Sequence, residues 1–82
     1  MINKIETQYH LIEVGTTHIN IKDKEYVVTS IKGSFLHYEP LDKDMFGFDV
    51  FHNDTLLAFV PYEKVDIVVY EKTGTTKWLK VW

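Results

Sequence analysis

The sequence predicts an all-β fold: a small, strongly bent antiparallel barrel of about seven short strands with little or no helix. Three observations point there. From Tyr9 onward the apolar residues are mostly Tyr, Val, Ile and Phe in short runs, the types that suit a pleated, half-buried surface. Gly, Asn, Asp and Pro punctuate those runs at close intervals. The chain has 82 residues, whereas a seven-stranded sandwich takes about 100. A bent barrel, forming one domain over residues 1–82, fits that length, because two separate cores would each be too small to be stable.

Taken in order, Met1–Gln8 reads as a helical turn or a loose lead-in, with Ile2 and Ile5 at i, i+3 spacing. Tyr9–Val14 is the first strand, closed by Gly15. Thr17–Ile21 alternates Ile19 and Ile21 against His18 and Asn20, and the polar turn Lys22-Asp23-Lys24 joins it to a strand over Glu25–Ile31. Lys32-Gly33-Ser34 reads as a second tight turn into Phe35–Glu39, which Pro40 ends by removing a ladder donor. Leu41–Met45 is the longest polar interruption, followed by a strand over Phe46–Phe51. His52-Asn53-Asp54 suits a hairpin turn, because Asn and Asp tolerate left-handed geometry. Leu56–Val60, the break Pro61-Tyr62-Glu63-Lys64, and Val65–Tyr70 make an abrupt strand, turn, strand unit. Lys72–Thr75 is a last turn before a closing strand over Lys77–Trp82.

The stretch "LLAFVPYEKVDIVVY" resembles the end of SH3-like and Sm-like barrels, in which a single 3₁₀ turn separates the last two strands. The preceding "FGFDVFHNDTLLAFV" looks like the bent hairpin that feeds that turn. The resemblance is architectural and spans roughly residues 25–71. It implies a small barrel, and no functional position carries over one by one.

Nine basic and twelve acidic residues give a net charge of −3, with the lysines scattered and Arg absent. That balance supplies no general attraction to phosphate backbones or anionic lipid. Cysteine is absent, which excludes disulfides, thiolate metal sites and cysteine nucleophiles, and favours a cytoplasmic address for so small a domain. No apolar run approaches the roughly 20 residues that span a bilayer as a helix.

Chemistry-bearing residues are few. His10, His18, His37 and His52 match no zinc spacing, and outward strand positions account for His18 and His37 and a turn position for His52. The run "DKDMFG" at 42–47 partly imitates a calcium loop, but Phe46 stands where an oxygen ligand belongs and Asn53 is a weaker ligand than the bidentate Glu expected at the twelfth position, so a solvated loop is the better account. The glycines are dispersed and no nucleophile elbow occurs. Surface recognition remains. Trp78, Lys80 and Trp82 share one face of the closing strand, and an edge strand of that kind is a template for pairing with another chain. Tyr38, Asp42 and Asp44 gather around the long loop, Phe46 and Phe48 alternate as inward residues do, and Tyr62 caps the barrel from the break.

The expectation is a non-catalytic binding module without cofactor or metal. It self-associates through the Trp-bearing strand and acts on a protein or small ligand as an adaptor, inhibitor or sequestering accessory protein, such as those of mobile genetic elements. Two alternatives are an Sm-like RNA-binding ring and a small metal-dependent hydrolase that uses the histidines with Asp49 or Asp54.

Overall fold

A computed structural model describes residues 1–70 fully and 76–79 as backbone. Nine strands form, with no α-helix among the described residues: β1 (Ile2–Thr7), β2 (Leu11–Glu13), β3 (His18–Ile21), β4 (Lys24–Val27), β5 (Ser30–Tyr38), β6 (Lys43–His52), β7 (Thr55–Pro61), β8 (Val65–Tyr70) and β9 (Thr76–Leu79). Two 3₁₀ turns, Glu39–Leu41 and Tyr62–Lys64, complete the set. Seven strands make one antiparallel, strongly curled sheet in the order β7-β6-β5-β1-β8-β9, with β2 on β1, while β3 and β4 form a separate hairpin. The predicted all-β, bent antiparallel fold is therefore observed as a half-barrel.

The core is where the inner faces of these strands meet: Ile5, Ile12, Val28, Ile31, Phe48, Val50, Val65 and Val68 are buried. At about 25 cal/mol per Å² of apolar surface removed from water, such residues supply most of the driving force. Backbone hydrogen bonds from Gly15 N to Val28 O (2.8 Å) and Val28 N to Thr17 O (2.9 Å) tie the β3–β4 hairpin onto this core. The turn of that hairpin is two residues, Lys22 and Asp23, both with positive φ (51° and 66°), the geometry that matches strand twist.

The break after β7 is as predicted: Pro61 closes the strand and Tyr62–Lys64 makes one 3₁₀ turn before β8 begins at the buried Val65. Four expectations need correction. The strand read over Glu25–Ile31 is two pieces, because β4 ends at Val27 and Ser30 opens β5 in the other sheet. The residues read as a helical turn or loose lead-in form β1, which pairs β2 and β5 on one side and β8 on the other, and Ile5 is fully buried. A register shift between Ile2 and Lys4 explains the misleading spacing, because a bulge turns residues three apart toward one face. Lys32-Gly33-Ser34 is no turn but the middle of β5, with Gly33 directly opposite Phe48. The polar interruption Leu41–Met45 is mostly strand, since β6 starts at Lys43 and only Glu39–Leu41, closed by Asp42 at φ 47°, turns the chain.

These last two corrections place a long ribbon. β5 and β6 pair without interruption from Ser30↔Phe51 to Tyr38↔Lys43. Their outer flanks end earlier: β1 meets β5 only at Ile2↔Ile31, and β7 meets β6 only as far as Gly47↔Pro61. Among the described residues, Lys32–Tyr38 and Lys43–Phe46 therefore pair with no strand other than each other.

Candidate functional site: the projecting β5–β6 ribbon

Directly opposed residues of an antiparallel pair share a face, and faces alternate along each strand. The register thus sorts the ribbon into two sides. One carries Ile31 and Val50, then Gly33 and Phe48, then Phe35 and Phe46, then His37 and Asp44. It begins as barrel core and ends at the tip in water. The other carries Lys32 and Asp49, Ser34 and Gly47, Leu36 and Met45, Tyr38 and Lys43.

The inner side forms an apolar trough. Phe48 is buried and its ring lies 6.2 Å from that of Tyr62, while Phe35 and Phe46, 5.7 Å apart, are 63% and 69% exposed. Gly33 leaves the space above Phe48 empty, since a Cβ there would meet nothing within 4 Å. Gly47 does the opposite work: a Cβ would run into the Val60 carbonyl oxygen and lie 2.6 Å from Phe59 Cζ, so only glycine lets β7 and the Phe59 ring close in. The trough encloses about 580 Å³ along Gly33, Phe35, Phe46, Phe48 and Tyr62, but it is open along its length. A small ligand is normally buried over most of its surface, which this shape does not provide.

The tip of the same side is acidic. His37 Nδ1 is 2.8 Å from Asp44 Oδ1, and its Nε2 is 3.3 Å from Asp42 Oδ1 and 3.7 Å from Glu39 Oε2. A ring protonated on both nitrogens would donate in both directions. The carboxylates approach opposite edges of the imidazole, so they do not converge on one ion. Among the described residues no group of three or more His, Asp or Glu side chains is placed to hold a metal. Lys43 lies on the other side of the ribbon, opposite Tyr38.

Tyr38, Asp42, Asp44 and Tyr62 thus belong to one region, though Tyr38 faces away from the trough. Of the two exposed rings on the ribbon, the sequence reading takes Phe46 as an inward residue and does not single out Phe35. Phe46 does alternate with Phe48 toward the inner side, but by its position the core has ended, so the ring is exposed rather than packed. The calcium-like run at 42–47 is strand from Lys43 on and forms no loop. Trp78 sits on the edge strand β9, paired with Val68; its side chain, together with Lys80 and Trp82, lies outside the described residues. His18 Nδ1 and His52 Nδ1 contact backbone carbonyls of Thr16 (3.0 Å) and Val27 (2.8 Å), and Tyr26 packs edge-on against His52 at 5.5 Å. Those are structural contacts that anchor the β3–β4 hairpin.

Comparison with known proteins gives no matching family model, no matching curated protein and no matching solved structure.

Proposed function

We propose that this chain is a non-catalytic, SH3-like binding module that engages a protein through the β5–β6 ribbon. The architecture is supported by the run β7-β6-β5-β1-β8, in which the β5–β6–β7 meander is continued on its β5 side by β1 and then β8, and a 3₁₀ turn joins β7 to β8. The observation that carries the function is the exposed apolar inner side of this ribbon, where the Phe35 and Phe46 rings continue the trough of Gly33, Phe48 and Tyr62 out into solvent, while Leu36 and Tyr38 are exposed on the opposite side. Contiguous apolar surface such as that inner side marks interaction sites, whereas single exposed apolar residues do not. Two-stranded ribbons are also marginal alone, so a partner that covers this one would stabilise it. The open trough favours a macromolecule over a sequestered small ligand, and the acidic tip disfavours nucleic acid.

Native mass spectrometry of protein purified without denaturation from the cells that make it tests this reading. The wild-type chain carries a second protein, and Phe35→Ser/Phe46→Ser does not, although its melting temperature changes by the equivalent of less than about 1 kcal/mol because the lost cross-strand pair is exposed. Equal partner retention by both proteins would refute it.

A further inference from the structure

Resting on that reading of the ribbon as a protein contact, we infer that its partner is an extended segment with a basic residue four positions before an apolar one, [Lys/Arg]-x-x-x-Φ, added as a strand along β5. Three features of one face specify this segment. The backbone of β5 from Gly33 to Tyr38 has no strand neighbour on its β1 side among the described residues, so it offers donors and acceptors to an incoming strand. An apolar side chain at the level of Gly33 would fill the empty space between Phe35, Phe48 and Tyr62. Four residues further along β5, about 13 Å at the rise of a strand, the same face carries His37 ringed by Asp44, Asp42 and Glu39, which suits a Lys or Arg side chain. An antiparallel strand, the pairing used throughout this sheet, runs from the tip toward Gly33, which puts the basic residue first.

A second copy of the chain does not fit as occupant. Antiparallel pairing of two β5 edges across a two-fold axis keeps like faces together, so each inner side would meet the other's inner side. That side of the ribbon holds no lysine, because Lys32 and Lys43 point the other way. The carboxylates of each tip would then lie against apolar residues or each other.

The test is selection of peptides from a random 12-residue display library on the intact protein, followed by calorimetry of the synthesised consensus. Three proteins are compared: wild type, Gly33→Leu, and Glu39→Gln/Asp42→Asn/Asp44→Asn. A Cβ at position 33 meets nothing within 4 Å and the backbone there is not left-handed, so the leucine side chain starts into open space and the variant is expected to keep the fold. The inference expects a consensus with the basic and apolar residues four apart. Binding should fall at least tenfold in Gly33→Leu and severalfold in the neutralised tip, with a weaker salt dependence in the latter. A consensus lacking the cation but lost in Gly33→Leu would overturn the partner chemistry and leave the ribbon as the contact. A self-association that replaces peptide binding would overturn the partner chemistry and leave the ribbon as a protein contact; no enriched sequence, or binding indifferent to both variants, would overturn the inference together with the ribbon reading.

Discussion

Two glycines on neighbouring strands of the ribbon should respond to alanine with opposite signs. Neither has positive φ, so the difference lies entirely in what a methyl group meets. At Gly33 it meets nothing, and Gly→Ala reduces the conformational freedom of the unfolded chain, a gain of about 0.4–1 kcal/mol. At Gly47 it meets a backbone carbonyl, which cannot swing aside, and the Phe59 ring at 2.6 Å. Forcing an extra methyl into a filled site costs about 1–3 kcal/mol. Weighed against the same entropic gain, the net loss comes to roughly 2 kcal/mol, toward the upper part of that range because backbone must move. At about 4–8 °C per kcal/mol for a domain of this size, Gly47→Ala melts some ~10 °C lower and Gly33→Ala a few degrees higher. Thermal and urea unfolding followed by circular dichroism reads both. Shifts of the same sign, or within about 0.5 kcal/mol of each other, would refute the assignment of Gly33 to open trough and Gly47 to a packed crossing.

Other substitutions probe the remaining elements. Ile5→Ala removes a fully buried side chain from β1 and should cost about 2–5 kcal/mol in urea unfolding; a loss under about 1 kcal/mol would mean that β1 is not a core strand. Lys22→Asn/Asp23→Gly places residues suited to left-handed backbone at both turn positions of the β3–β4 hairpin, and should raise stability by about 1 kcal/mol. No rise in melting temperature would count against that turn geometry.

What the sequence makes legible follows from which signals are local. Period-two alternation and Asn, Asp and Pro at breaks are local, so β3, β4, β7, β8 and the 3₁₀ turn between the last two are recognisable. The role of a glycine is not local. Gly33 looks like a turn residue next to Lys32 and Ser34, and only its cross-strand partner Phe48 reveals a gap in a continuous strand. β1 was hidden by its bulge, which puts Ile2 and Ile5 at helix-like spacing, and by Asn3, Lys4 and Glu6, which are polar although the strand is central. Part of the ribbon region was legible as a cluster of Tyr38, Asp42 and Asp44. Its apolar half was not, because inward alternation at Phe46 says which face a ring takes, while the point where β1 and β7 stop flanking the ribbon decides whether that face is buried.

The central claim is that the ribbon is the contact surface, and photo-crosslinking in the cells that make the protein tests it most directly. A benzophenone side chain replacing Phe35 should yield a discrete crosslinked product with another protein, and the same probe replacing the exposed Asn20 on the β3–β4 hairpin should not. Equal products from both positions, or a product from Asn20 alone, would contradict the account.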